Sequence, residues 1–245
     1  MDRKHLIALH EMARSEGGRY PRRRHPYEAL LGAEGRHFVG ILGPRGVGKT
    51  VLLKQVASAM DRAFYLSLDT LAGEDLFDLV RGLSADYGFE VFLLDEMHFA
   101  RDIGAVLKKI FDFLDVRVIF TGSVALSVVE SAHDLARRVR LLVLPPFSFG
   151  EYLRFTGGDD LPALGLPDIE GRRWDRRHAL AISRFDAYLK GGLMPFSLEE
   201  PEVLPLLRSV LDKILSRDVP SVARIGVDEI ASMEKLMGFV GRSEV

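Results

Sequence analysis

The residues best equipped for chemistry stand together: Gly43-Pro44-Arg45-Gly46-Val47-Gly48-Lys49-Thr50 fits the pattern GxxxxGK[ST]. An apolar run (38–42) precedes it, and a helix-forming run from Val51 to Met60 follows. Glycines at 43, 46 and 48 let the backbone curl so that successive N–H groups point inward, and a helix starting near Lys49 adds its positive dipole end. Such a nest suits a polyphosphate. Lys49 is expected to reach the β and γ phosphates as a point charge, and the Thr50 hydroxyl to complete the shell of a Mg²⁺ that keeps several waters. The predicted phosphate contacts therefore run from Gly43 to Val51. A glycine-rich turn that binds nothing is the competing reading, and it accounts for neither Lys-Thr nor the strand-to-helix setting.

A second group follows at Glu90-Val91-Phe92-Leu93-Leu94-Asp95-Glu96, an apolar run ending in adjacent carboxylates. On a strand end beside the phosphate loop, Asp95 holds the metal through its water shell, and Glu96 polarises a water toward the γ phosphate as general base. The bland alternative is a helix N-terminus whose dipole the two acids satisfy. His98 either orients that water or is structural. In Thr121-Gly122-Ser123, either hydroxyl could sense the γ phosphate, with Ser123 the catalytic candidate; Ser123 as a helix cap explains it equally well. In the cluster Arg137-Arg138-Arg140, Arg138 is the candidate arginine finger for a neighbouring subunit, against plain surface arginines on an edge.

These groups need a scaffold that brings strand ends together. From His37 onward, short apolar runs alternate with amphipathic stretches, the pattern of a parallel sheet covered by helices. Strands are predicted at 37–42, 63–67, 90–94, 116–121 and 138–144, with helices near 49–60, 74–83, 101–114 and 123–130. A helix over 3–14 and a basic connector, Arg22-Arg23-Arg24-His25, come first. After Pro145-Pro146 the strand signal ends, and a Gly/Pro- and Arg-rich section (156–177) leads to helices near 178–189, 202–217 and 228–240. The stripe Leu204, Leu207, Leu211, Ile214 is expected to pack on the core. The resulting division is an N-terminal helix and connector (1–35), an α/β P-loop NTPase core with a five-stranded parallel sheet sandwiched by helices (36–150), a helical lid (151–225) and a last segment (226–245).

Composition narrows the partners. In 245 residues, 33 Lys+Arg nearly balance 35 Asp+Glu, so no global charge argues for nucleic acid or membrane. The absence of cysteine removes disulfides, thiolate metal sites and a Cys nucleophile. No uncharged run approaches the roughly 18–20 residues of a membrane span, and a cytoplasmic protein is expected.

The order GPRGVGKT, FLLDEMH, IFTGS, DLARR, LPPFSFGEYL, YLKGGLMP resembles the archaeal and bacterial AAA-type ATPase family related to STAND NTPases, over roughly residues 20–220. The resemblance implies an ATPase core, a helical segment and then a winged-helix or nuclease-like domain. Lys49, Thr50, Asp95 and Glu96 carry over directly; Arg137 stands where the family has glycine. It implies further that Gly191-Gly192-Leu193-Met194-Pro195 meets the nucleotide from the lid side, and that 226–245 is the first helix of a truncated winged helix. That helix, with its stripe Ile230, Met233, Leu236, Met237, Val240, is expected to pack on the lid or on another subunit.

The expected activity is hydrolysis of Mg·ATP to ADP, driving conformational change on a DNA or protein partner, in a monomer or homo-oligomer. The alternative is an ATP-gated DNA- or protein-binding switch with negligible turnover, in which Arg22–Arg24 and Arg172, Arg173, Arg176 and Arg177 contact phosphates. A small-molecule kinase is the poorer third reading, since no acceptor-site signature is present. No Asn-Lys-x-Asp motif occurs, which favours ATP over GTP.

Overall fold

The computed structural model describes residues 3–33, 35–71, 73–122, 137–157, 161–219 and 226–241. The chain divides into two compact units, 1–146 and 147–245. Five strands form the first unit's sheet: β1 (Phe38–Leu42), β2 (Ala63–Ser67), β3 (Val91–Asp95), β4 (Arg117–Gly122) and β5 (Val139–Val143). Every strand edge falls within one residue of its expected place, because fully buried parallel strands write themselves as short unbroken apolar runs. All pairings are parallel, in the order β2-β3-β4-β1-β5. The chain therefore has an α/β P-loop NTPase fold. One expectation is corrected: β3, which carries Asp95, does not adjoin the phosphate-loop strand, because β4 lies between them.

Period-two alternation splits the strand side chains between the two faces of the sheet. Phe38, Phe64, Phe92 and Phe120, all fully buried, join one core cluster with Leu79, Val80, Leu83, Leu107 and Ile110 from α4 (Leu76–Tyr87) and α5 (Ile103–Phe113). Gly40 explains itself on that face: a Cβ there would sit 2.8 Å from the Phe120 ring and 2.9 Å from Leu141. The alternate residues Ile41, Leu93 and Ile119 point the other way, where α3 (Lys49–Ala59) supplies buried Leu52, Leu53 and Val56. Local signals bound these helices, though α4 runs four residues past its expected end: Asp75 and Asp102 cap α4 and α5, and Gly88, at φ 73°, closes α4.

The N-terminal segment belongs to this unit rather than standing apart as a connector. Helix α1 (Arg3–Gly18) buries Leu6, His10, Ala13 and Gly17, spaced for one face. A Cβ on Gly17 would collide with the Lys54 carbonyl, so α1 meets α3 backbone to backbone. The Lys54 ammonium lies 2.7 Å from the Glu16 carboxylate beside that contact. A short helix that the sequence pattern did not show, α2 (Tyr27–Leu31), follows the basic connector.

In the second unit, α6 (Phe149–Gly157) continues directly from the Pro-Pro pair, and α7 (Leu166–Glu170) interrupts the section taken as irregular. The helix expected over 178–189 is broken into α8 (Arg176–Ala181) and shorter turns ending in a wide turn at Tyr188–Gly192. Two motifs about forty residues apart meet there. Phe147 N–H donates to the Leu193 carbonyl at 2.7 Å, and the Tyr188 hydroxyl to the Phe147 carbonyl at 2.7 Å. Gly192 leaves no room for a Cβ against the Tyr152 ring, 2.6 Å away, and Gly191 takes φ 148° with Val203 beside it. Within this unit the glycine pair thus serves close packing.

Of the stripe on α9 (Val203–Lys213) and the turn after it, Leu204 is exposed and Leu207, Leu211 and Ile214 are half-buried. Helix α10 (Val227–Val240) exposes Met233, Leu236, Met237 and Val240 and keeps Ile230 half-buried, so within this chain the stripe expected to pack on the lid or on another subunit is covered only in part. Residues 123–130, expected as a helix, lie outside the described residues.

His10 gives a pH test of the α1 packing. Its ring is 1% exposed, its Nδ1 accepts the Tyr65 backbone N–H at 3.0 Å, and burial lowers its pKa from 6.5 to about 4, with Arg14 adding to the shift and Glu11 opposing it. The unfolded chain binds the proton more readily, so stability rises with pH across this window. The contribution is whole above pH 6.5 and is lost as the pH falls toward 4, to the extent of roughly 2–3 kcal/mol. Urea midpoints measured between pH 7 and pH 4.5 are expected to fall less in a His10→Gln variant than in the wild type.

Candidate nucleotide-binding site

The phosphate loop leaves the buried end of β1 and must turn sharply to enter α3. Gly46 (φ 82°) and Gly48 (φ 87°, ψ 24°) take left-handed conformations that a side chain would strain. Gly43 is needed for another reason: a Cβ there would strike the Leu144 carbonyl just beyond β5. Val47 is fully buried and anchors the loop, while Pro44 and Gly46 stand exposed at its crest and Arg45 is half-buried. Lys49, only 7% exposed, donates from Nζ to the carbonyls of Gly43 (2.7 Å) and Pro44 (2.9 Å). The ammonium is thereby held over the curl of the loop. Thr50 and Val51 begin α3, both half-buried.

The carboxylates stand two strands away. Asp95 ends β3 with 2% of its surface exposed, and it is held from both sides. The Tyr65 hydroxyl donates to Oδ2 at 2.9 Å, the Thr121 hydroxyl donates to Oδ1, and the Glu96 N–H lies 3.2 Å from Oδ1. Burial, reinforced by the Asp95 charge and hydrogen bond, raises the Tyr65 phenol far above its usual range, so it stays a donor. Thr121 also accepts the Glu96 N–H at 3.1 Å, so the one hydroxyl on β4 ties both acidic residues together.

Glu96 itself adopts φ 54°, unusual for a residue with a side chain. Such backbone strain concentrates at functional sites. Its Oε2 is buried without a hydrogen bond, although the His98 Nδ1 lies 3.1 Å away in ion-pair range. His98 stacks against Phe99 at 4.4 Å between ring centroids and flanks the carboxylate.

Thr50, Asp95 and Glu96 line one cleft of about 420 Å³ together with Lys54, Tyr65 and residues of α1. The cleft brings Thr50 to the two carboxylates, oxygen donors of the kind that suit a hard cation, while residues 43–49 do not line it. A hydroxyl, a fixed carboxylate and an acceptor lacking a hydrogen-bond donor also fit the water shell of a metal. Arg138 is not brought to this cleft. It precedes β5 at the edge opposite the phosphate loop, where Nε and Nη2 bond the Asp112 carboxylate at 3.0 and 3.1 Å and the guanidinium lies over Phe111. A finger role for it would have to be toward another subunit's site. Ser123 lies outside the described residues.

Two important residues were not picked out from the sequence. Tyr65 reads as one more aromatic in a strand. Arg24 was read as part of a solvent-facing basic run; instead it is 6% exposed and donates to the carbonyls of Val47 (2.8 Å) and Pro145 (3.0 Å). It clamps the phosphate loop from behind, and Gln55 of α3 fixes the same connector through the Tyr20 and Arg22 carbonyls. No local signal separates Arg24 from Arg22 and Arg23, which carry the same side chain.

Residues 35–153 match the family model of an AAA domain. That stretch contains the whole sheet, the phosphate loop, Asp95, Glu96 and Thr121. The chain is also 30% identical over 226 residues to the uncharacterized protein MJ1637 of Methanocaldococcus jannaschii, in an alignment covering 82% of this chain and 48% of that protein. It thus spans about half the length of this curated relative. Among solved structures, C. elegans PCH-2 aligns with TM-score 0.38 and 18% identity, covering 63% of this chain and 46% of that one. The FIGL-1 AAA domain in complex with ADP aligns with TM-score 0.38 and 13% identity, covering 54% of this chain and 52% of that one. Among the described residues no helix is long and apolar enough to cross a membrane.

The Arg24 clamp predicts a coupled loss. Arg24→Ala leaves two inward-facing carbonyls unsatisfied and is expected to cost roughly 2–4 kcal/mol of stability. It should also weaken nucleotide binding more than Arg23→Ala does, which urea denaturation and titration with a fluorescent ATP analogue would show.

Proposed function

We propose that this protein binds Mg·ATP at Gly43–Val51 and hydrolyses it, with Glu96 as general base. The observation that carries the reading is the shared cleft of Thr50, Asp95 and Glu96, in which one Glu96 oxygen is buried and lacks a hydrogen-bond donor. The loop amides and the start of α3 would receive the phosphates, and Lys49 would exchange its two loop carbonyls for β and γ oxygens. Thr50 and Asp95 would hold the magnesium, Asp95 largely through water. The bound metal would neutralise charge developing on the phosphates. Glu96 would accept a proton from the attacking water, with His98 beside it and Thr121 setting its backbone. Ser123 as a γ-phosphate contact and Arg138 as a finger given to another copy complete this proposal as its least supported parts.

Hydrolysis would drive rearrangement on a DNA or protein partner in the cytoplasm. The arginines of the DNA reading differ in their surroundings. Arg24 is buried in the phosphate-loop clamp, while Arg173 and Arg177 pair with Asp168 and Asp175.

Glu96→Gln is expected to keep ATP affinity within about threefold while turnover falls roughly 10²–10⁴-fold. Turnover equal to wild type would remove Glu96 as the base. Tight binding by the wild type with negligible hydrolysis would instead establish the ATP-gated switch.

A further inference from the structure

Asp95 is a charged group at the inner end of a buried strand, and its usefulness to a metal depends on where its free lone pairs point. A carboxylate can rotate about its last torsion, and Mg²⁺ demands near-ideal octahedral geometry. A buried carboxylate held on one oxygen alone would present a variable face. Here both oxygens are held, Oδ2 by the Tyr65 phenol and Oδ1 by the Thr121 hydroxyl.

Tyr65 is itself fixed by three elements. It sits on β2, one strand from Asp95, in a register that pairs Ser67 with Asp95 and Tyr65 with Leu93. Its backbone N–H donates to His10 of α1, and the Lys54 ammonium of α3 lies 5.8 Å from its ring centroid. At 8% exposure, little water can reach the phenol to take over its hydrogen bond. Apart from Asp95 and Thr121 themselves, the buried residues on this face of the sheet, Val39, Ile41, Ala63, Val91, Leu93 and Ile119, are apolar. A phenylalanine would fill the same space, so packing alone gives no reason for the hydroxyl.

We propose that Tyr65 is a positioning residue for magnesium: its hydroxyl orients the Asp95 carboxylate so that the remaining lone pairs face the metal's water shell beside Thr50. The inference rests on reading the cleft as a Mg·ATP site. Loss of such an outer-shell partner typically costs 10–100-fold in metal affinity. Nucleotide binding without metal depends on the loop amides and Lys49, which Tyr65 does not touch.

The test is Tyr65→Phe in the full chain, titrated with a fluorescent ATP analogue in EDTA and then against Mg²⁺, with thermal melting alongside. Expected are binding in EDTA within about twofold of wild type and a Mg²⁺ half-saturation raised about tenfold or more. In an Asp95→Asn background, Tyr65→Phe is expected to add little, since the hydroxyl acts through that carboxylate. An unchanged Mg²⁺ half-saturation would overturn the proposal, as would an equal loss of binding with and without the metal, which marks a structural role. If Tyr65→Phe fails to fold, Tyr65→Met removes the hydroxyl at similar volume and is read the same way. A wild type whose nucleotide binding ignores Mg²⁺ would overturn the site reading itself, an outcome distinguishable from failure at Tyr65 alone.

Discussion

Parallel pairing is the constraint from which the rest of this domain follows. Because all five strands run the same way, the carboxyl ends of β1, β3 and β4 emerge at one edge of the sheet. The phosphate loop after Leu42, the pair Asp95-Glu96 and Thr121 all sit at such ends. Residues far apart in sequence thus share an edge without any loop having to reach across. The reversal of strand order around β1, with β4 on one side and β5 on the other, opens the crevice where ligands of open α/β sheets bind.

Placing charge at that edge creates a second constraint. Asp95 and Lys49 are both almost wholly buried, and buried charge is costly unless hydrogen bonds hold it. The carboxylate is met by two hydroxyls from neighbouring strands, and the ammonium by two carbonyls of its own loop. The loop in turn is fixed through Arg24, whose charge is spent on backbone carbonyls. Helix α1 extends the same economy outward, since it locks onto α3 at Gly17 and onto β2 through His10. It precedes the segment matched as an AAA domain, yet its residues line the cleft with Thr50 and Asp95.

The second unit uses different physics. Its small core gathers Phe147, Leu153 and Phe155 with the rings of Phe149, Tyr152, Phe185 and Tyr188 nearby. Glycines at 191 and 192 permit that packing. The stripe on α9 is half-buried apart from Leu204, and the one on α10 is largely exposed. Periodicity showed that these stretches are helices, but a stripe says nothing about what covers it.

The sequence alone determined the elements and their chemistry where the signal is local. Strand edges at 37–42 or 90–94 follow from apolar runs, and the phosphate loop follows from glycine spacing beside Lys49 and Thr50, because both depend on neighbours along the chain. Only tertiary structure decided strand order, which put β4 between the phosphate loop and Asp95. It also turned Tyr65 and Arg24 into parts of the site and withheld Arg138 from its own chain's cleft. A tyrosine or arginine has the same local pattern wherever its polar end goes, and that end is directed by contacts with residues 23 to 121 positions away.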